Sequence, residues 1–215
     1  MERKRRSATG EQSRRAILDA ALECFSRLGW AATTIEDIRK VSGASVGSVY
    51  HHFGAKEGIA VALYIDCLRL HQESLRTRLE KKHDAEDFVR AVVTHHIAWS
   101  REHPEAARYL LRMRREEAVA AAGPEIQSAT GDFVREGFSR MKAFAQAGEL
   151  LALPPSAYMP LMLGPAQELL RGWAGGHVEL KPGIEKVFAD AAWRCLRPDA
   201  PPATQTLSHA RRKGP

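Results

Sequence analysis

The stretch that most restricts how this chain can fold is residues 34–56, which has the pattern of two short helices joined by a tight turn. Thr34 stands where a helix N-cap belongs, and Asp37 follows three residues later, so the two side chains can satisfy free backbone N–H groups. Gly43 comes after the apolar positions of this helix and is the residue type that most easily takes the left-handed conformation at a helix end. A first short helix is therefore predicted between Thr34 and Gly43.

The second short helix is predicted to begin after Ser45, which can cap it. Its apolar face is narrow, because only Val49 and Phe53 share one side at helical spacing. The remaining side chains are expected to lie largely outside that face. Two short helices around a glycine-containing turn form a helix-turn-helix unit, whose second helix enters the DNA major groove.

The chain resembles the DNA-binding domain of the TetR (tetracycline-repressor) family of transcriptional regulators in three motifs: T-T-I-x-D-I at 33–38, S-G-A-S-V-G-S-V-Y-H-H-F at 42–53 and K-E at 56–57. The resemblance covers roughly residues 11–65. It is specific, because five positions stand at the family's spacings: Gly47, Tyr50, His52, Phe53 and Lys56. The chain departs from the family pattern at Arg39, Val46 and Gly58, where relatives more often have alanine, a basic residue and leucine.

Roles for the contact residues follow from residue chemistry and from this resemblance. Val46 and Ser48 lie near the helix start, where side chains reach base edges, and Gly47 lets the backbone approach DNA. Tyr50 and His52 match family positions that touch the DNA backbone, and Lys56 suits a phosphate contact. For the histidine pair at 51–52 an exposed pair without a role is the alternative. The predicted DNA-binding set is Thr34, Ser45, Val46, Gly47, Ser48, Tyr50, His51, His52 and Lys56.

The net charge of +6 is concentrated at the two ends of the chain. Residues 1–10 are predicted to be a flexible basic arm that reaches DNA, with a solvated tail as the alternative. Residues 198–215 are rich in proline and polar side chains and are predicted to be a disordered tail. The three cysteines form no C-x-x-C pair, and the N-terminus lacks an apolar signal segment, so a cytoplasmic location is expected. The uncharged stretch 150–167 contains four prolines and is a poor membrane span.

Between these ends the chain is predicted to be all-α, with a helix-turn-helix domain at 11–58 and a helical ligand-binding and dimerisation domain at 59–197. No alternating strand pattern of any length interrupts the helical periodicity. Aromatic, sulfur and imidazole side chains on consecutive helices suit a small-molecule pocket, and an ordinary helical core is the alternative. The predicted pocket residues are His95, Trp99, Tyr109, Met113, Phe138 and Met141.

The last two helices are predicted to form a dimer interface. The helix near 157–174 is apolar almost all round, so it needs cover on most sides, and the family dimerises through its last two long helices. The alternative is burial within one chain. The predicted interface residues are Met162, Leu169, Leu170, Trp173, Ile184, Val187, Phe188 and Ala191.

Together these features predict a homodimeric regulator that leaves a palindromic double-stranded operator when a small-molecule effector binds. The alternative is a DNA-binding regulator without such a ligand, acting through a protein partner or as an activator. An all-helical enzyme is disfavoured, because the chain has no catalytic or phosphate-binding motif of a known class. No metal site, cofactor or membrane contact is expected.

Overall fold

The computed structural model describes residues 2–198, and the side chains from residue 10 onward. Its secondary structure over these residues consists of α-helices without a strand, which confirms the predicted all-α fold. The helices are α1 Glu2–Leu28, α2 Ile35–Ser42, α3 Val46–Phe53, α4 Lys56–Leu79, α5 Ala85–Glu102, α6 Pro104–Met113, α7 Glu117–Ala121, α8 Gly123–Gln146, α9 Pro155–Ala174 and α10 Ile184–Leu196.

Helices α2 and α3 form the helix-turn-helix because their ends are closed by local hydrogen bonds. The Asp37 backbone N–H donates to Thr34 Oγ1 at 3.2 Å, and the Thr34 N–H donates to Asp37 Oδ2 at 2.9 Å, which completes a capping box. Gly43 ends α2 with a φ of 70°, in the left-handed region. Ser45 Oγ accepts from the Ser48 N–H at 3.1 Å and starts α3. Both predicted caps are therefore present.

Helix α1 supports these two short helices. Ile17, Ile38 and Val49, one from each helix, are completely or almost completely buried in a shared core that also includes the start of α4. Burial of side chains of this size contributes about 1.5–3 kcal/mol each, which two isolated short helices could not obtain. The predicted flexible arm at 1–10 is wrong where the backbone is described, because residues 2–10 continue α1. Its run of lysine, arginine and glutamate contains good helix formers and no proline.

Helix α4 leaves the DNA-binding domain and runs into a second bundle. There α5 packs extensively against α10 and also against α4 and α9. The core of this bundle includes Phe88, Val93, Met141, Leu163 and Leu196. Helix α9 begins at Pro155 and includes Pro160 and Pro165. The short helix α7, which carries one buried apolar side chain, has no clear periodic signal in the sequence.

Of the predicted tail at 198–215 only Pro198 lies within the described residues. Among the helices of residues 2–198, none combines the length and the apolar character needed to cross a bilayer.

Candidate nucleic-acid interface and ligand cavity

The outer side of α3 forms an exposed surface that we call the recognition face, made of Val46, Gly47, Tyr50 and His51. Val46 and Tyr50 are 50% and 52% exposed, although both are large side chains. Positions 46, 47, 50 and 51 share one side of a helix, while Val49 on the opposite side is buried in the core. The structure therefore brings these four predicted residues together and turns them toward solvent.

Gly47 has no role in packing within the chain. A Cβ atom built at this position would meet no heavy atom within 4 Å. Glycine inside a helix costs about 0.5–1 kcal/mol relative to alanine, so an alanine would be more stable in the free protein. Packing within the chain therefore does not require a glycine at this position.

The serine and threonine hydroxyls of the predicted DNA-binding set form hydrogen bonds inside the domain. Ser48 is half-buried, and its Oγ forms a hydrogen bond of 2.9 Å with Ser13 Oγ on α1. The hydroxyls of Thr34 and Ser45 serve the helix caps, and Thr34 Oγ1 also donates to Asp37 Oδ2 at 2.6 Å. Their positions on the DNA side stay a prediction, but each hydroxyl already has a structural partner. The Ser13 contact was not visible from sequence, because it joins residues 35 positions apart.

Lys56, which the sequence suggested as a phosphate contact, already makes contacts inside the domain. Its Nζ donates to the backbone oxygens of Trp30 at 3.1 Å and Thr33 at 2.9 Å. The same ammonium lies 4.4 Å from the centre of the Trp30 ring, within cation–π range. An ammonium has three N–H donors, so a single one is left for a phosphate. The side chain of Lys40 on α2, by contrast, is 67% exposed.

Two concave spaces adjoin the second bundle. One has a volume of about 840 Å³, and the other, of about 730 Å³, lies between α4, α5, α6 and α9. The larger one is a groove between α1 and α6. The smaller one, which we call the bundle cavity, contains imidazole, indole and guanidinium groups. It is lined by Tyr64, Leu68, His71, His96, Trp99, Ser100, Ala107, Leu110, Leu111, Arg112, Arg114, Arg115, Gln167, Leu170 and Arg171.

A cluster of three histidines stands at the inner wall of the bundle cavity. His96 Nδ1 lies 3.4 Å from His71 Nε2, and His95 Nε2 lies 3.3 Å from the backbone oxygen of His71. Burial lowers the pKa of His95 and of His96 to about 4, and it lowers that of His71 well below its usual range, with repulsion between the imidazoles acting in the same direction for His71 and His96. The cluster is therefore neutral at pH 7.

Three buried nitrogens in this region have no hydrogen-bond partner: His95 Nδ1, His96 Nε2 and Trp99 Nε1. Unpaired polar atoms are rare in protein interiors, where such atoms are normally paired by protein groups or by ordered water. No group of three His, Cys, Asp or Glu side chains from residues 10–198 is arranged to hold a metal ion.

The predicted pocket residues are divided among three places, so the prediction of a single pocket is wrong. Trp99 lines the bundle cavity, and His95 is buried directly behind it against His71. Tyr109 and Met113 line the groove against α1 instead. The other two, Phe138 and Met141, belong to the core beside α5. His71 was missed, although it continues the apolar positions 59, 63 and 67 of α4 at intervals of four.

The predicted dimer residues also differ in how far they are buried within the chain. Met162 and Leu170 are buried within the single chain, and Leu170 lines the bundle cavity, so these two are wrong as interface residues. The cause is that α5 and α10 already cover that side of α9. Val187 is 58% exposed on α10. Five others are partly buried: Leu169, Trp173, Ile184, Phe188 and Ala191. Cys195, on the same helix as Val187, is also exposed.

Comparison with known proteins identifies the first third of the chain most clearly. The profile of the family described as bacterial regulatory proteins, tetR family, matches residues 17–63. The HTH-type transcriptional repressor AcnR of Corynebacterium efficiens is 39% identical over 59 residues, which are 26% of this chain and 31% of that protein. The HTH-type transcriptional regulator RutR of Escherichia coli K12 is 28% identical over 159 residues, 70% of each protein. The chain thus covers about a third of AcnR.

Solved structures share the whole fold. A TetR family transcription regulator from Marinobacter aquaeolei VT8 superposes with a TM-score of 0.74 at 19% identity, covering 92% of this chain and 99% of that one. The transcriptional regulator FadR from Bacillus subtilis, solved in complex with stearoyl-CoA, superposes with a TM-score of 0.65 at 17% identity, covering 83% and 95%. At this level of identity the likeness establishes the architecture.

Proposed function

Because this chain belongs to the tetR family of bacterial regulatory proteins, we propose that it is a homodimeric transcriptional repressor that leaves a palindromic operator when a small molecule binds the second bundle. The observation that carries the DNA-binding part is Gly47, whose missing side chain has no purpose inside the chain. It lies between exposed Val46 and Tyr50 on a helix of the length and position that enter a major groove. The relative AcnR is a transcriptional repressor, which supports the same role here.

Base reading is assigned to the recognition face rather than to Ser48. Val46 presents an apolar surface suited to a thymine methyl group, and the Tyr50 hydroxyl can bond to a base edge or a phosphate. Ser48 holds α3 against α1 through Ser13, so it sets the angle at which the recognition face meets DNA. Lys40, exposed on α2, is a candidate for a phosphate contact in addition to the third N–H of Lys56.

Dimerisation is proposed through the outer sides of α9 and α10. Val187 is the most exposed large apolar side chain in the described chain, and Leu161 on α9 is 38% exposed. Ala191 follows Val187 by one helical turn, which lets a second helix approach closely. A two-fold dimer would place two recognition helices about 34–36 Å apart, or at a multiple of that distance, on a palindromic site.

The proposed switch acts through α6, which separates the bundle cavity from the groove against α1. Arg112 lines both spaces. Tyr109 in the same helix stacks on Phe25 of α1 at 5.8 Å, and its hydroxyl donates to the backbone oxygen of Ala60 at 2.8 Å. A ligand that displaces α6 would therefore move α1 and α4 together. The ligand then favours a spacing of the two recognition helices that does not fit DNA, which is a population shift.

Selection of bound duplexes from a random DNA pool tests this function. We expect the purified protein to enrich a palindromic sequence, because each subunit presents the same face. Val187→Lys should reduce the dimer fraction in light scattering and weaken binding to the selected site by at least tenfold, whereas binding to one half-site should stay within about twofold. A non-palindromic consensus that wild type and Val187→Lys bind equally well would contradict the dimer. A selection that enriches no DNA sequence would contradict sequence-specific DNA recognition.

A further inference from the structure

We propose that the bundle cavity binds an organic anion with an aliphatic body, whose oxygen atoms accept from Trp99 and from the arginines at the cavity mouth. This inference rests on the proposed regulatory ligand and names its chemical class. It is argued from three properties of the lining: unpaired donors, an excess of positive charge, and apolar walls. The space of about 730 Å³ lies within the 300–1,000 Å³ typical of small-molecule sites.

The polar end of the ligand is defined by Trp99. This side chain is 2% exposed, it lines the cavity, and its Nε1 has no hydrogen-bond partner. An indole N–H is a donor only, so an occupant atom that pairs with it must be an acceptor. His96 also lines the cavity, one turn away on α5, and its buried Nε2 is likewise unpaired. The tautomer of this neutral imidazole can adapt to either a donor or an acceptor.

The sign of the ligand's charge is defined by four arginines: Arg112, Arg114 and Arg115 at the end of α6, and Arg171 on α9. The lining contains no aspartate or glutamate. Arg171 is paired with Glu168, whereas Arg114 and Arg115 form no ion pair with any residue from 10 to 198. Because the histidine cluster is neutral at pH 7, these guanidinium groups supply the charge of the cavity. A fork of N–H donors matches a carboxylate or a phosphate.

The body of the ligand is defined by the remaining walls of the cavity. They consist of apolar side chains from α4, α6 and α9: Tyr64, Leu68, Ala107, Leu110, Leu111 and Leu170. Such walls favour an aliphatic chain through the hydrophobic effect, at about 25 cal/mol per Å² of apolar surface buried. A compact polar anion would leave this surface uncovered. The arginine-lined mouth and the apolar interior together fit an amphipathic acid.

Calorimetric titration of the full-length protein with three twelve-carbon probes tests the assignment. Dodecanoate and dodecyl phosphate carry the two possible anionic groups, and 1-dodecanol is the neutral control of the same length. We expect at least one anion to bind at least tenfold more tightly than 1-dodecanol. Equal affinity for all three probes, or no binding of either anion, would overturn the proposal. The relative affinity of the two anions decides between carboxylate and phosphate.

Two variants locate the site. Arg114→Gln combined with Arg115→Gln should weaken binding of the preferred anion about tenfold, because a hydrogen bond to a charged group is lost and both positions are exposed, so the fold is preserved. Trp99→Phe keeps the ring and removes the N–H, and we expect a similar loss. Arg69→Gln, an exposed arginine on α4 outside this cavity, is the matched control and should leave the affinity unchanged. A double arginine variant that binds like wild type would refute the assigned mouth.

The same preparation separates this inference from the proposed function. Fluorescence anisotropy with the selected duplex measures DNA binding with and without the preferred anion. DNA binding without any affinity for the anions would contradict the ligand class and leave the regulator standing. Anion binding that depends on Arg114 and Arg115 but does not release DNA would support the site and contradict the proposed switch.

Discussion

Replacement of Gly47 by alanine should change stability and DNA binding in opposite directions. An added Cβ meets no heavy atom within 4 Å, and Gly47 lies inside α3, so the folded chain accommodates alanine without strain. Alanine is favoured over glycine within a helix by about 0.5–1 kcal/mol, because it restricts the unfolded backbone. For a chain of this size that gain corresponds to a rise in Tm of about 1–4 °C.

On DNA the same methyl group would stand between the helix backbone and the groove. Forcing one extra carbon into a closely packed contact costs about 1–3 kcal/mol, so the affinity for the selected operator should fall by about tenfold. Gly47→Ala and a control variant are compared with wild type by thermal denaturation and by fluorescence anisotropy. The protein concentration and the salt concentration are held constant, because subunit association and phosphate contacts depend on them.

Gly137→Ala is the matched control, because Gly137 lies inside α8, far from α3 in the chain, and an added Cβ there also meets nothing within 4 Å. It should raise the Tm by a similar amount and leave DNA affinity unchanged. A lower Tm for Gly47→Ala would show that the backbone of α3 is not as described. A raised Tm with unchanged operator affinity would refute the close approach of Gly47 to DNA.

Three further perturbations test other parts of the structure. Lys56→Met should lower the Tm by several degrees in thermal denaturation, because two charge-assisted hydrogen bonds are lost. Lys40→Met should leave the Tm within about 1 °C and reduce the salt dependence of DNA binding. Gly58→Ala should destabilise the chain by about 1–3 kcal/mol in urea titration, because its Cβ would lie 2.0 Å from the backbone oxygen of Phe53; an unchanged midpoint would contradict this contact. Burial lowers the pKa of His96 from 6.5 to about 4, so the contribution of the neutral imidazole to stability is complete above pH 6.5 and is lost as the pH falls toward 4. His96→Gln should therefore make the decline of Tm between pH 6.5 and 4 shallower. Parallel curves of Tm against pH for the variant and wild type would contradict the buried neutral imidazole.

Local features of the helix-turn-helix were predictable because they depend on neighbours within one turn. The capping box of Thr34 and Asp37 and the left-handed Gly43, whose N–H donates to the Arg39 carbonyl, each join residues at most four positions apart. Helical periodicity likewise indicated an all-α chain. The continuation of α1 through residues 2–10 was missed, because a charge-rich segment without an apolar stripe gives no periodic signal.

Contacts between helices distant in the chain were not predictable in the same way. Ser48 and Lys56 have the residue types of DNA contacts, yet α1 and the loop after it take up the Ser48 hydroxyl and two N–H groups of Lys56. Met162 and Val187 both looked like interface residues, and only the packing of α9 against α5 and α10 buries the first and exposes the second.

The sequence by itself determined the two short helices of the helix-turn-helix, their caps and the recognition face of α3, because spacing along the chain sets which groups meet within a helical turn. Only the tertiary structure decided where the cavity lies. It brings His71 of α4, Trp99 of α5 and Arg115 of the turn after α6 around one space, and leaves an indole N–H there without a partner. The angle and distance at which helices cross depend on the fit of whole side-chain surfaces, which no local spacing specifies.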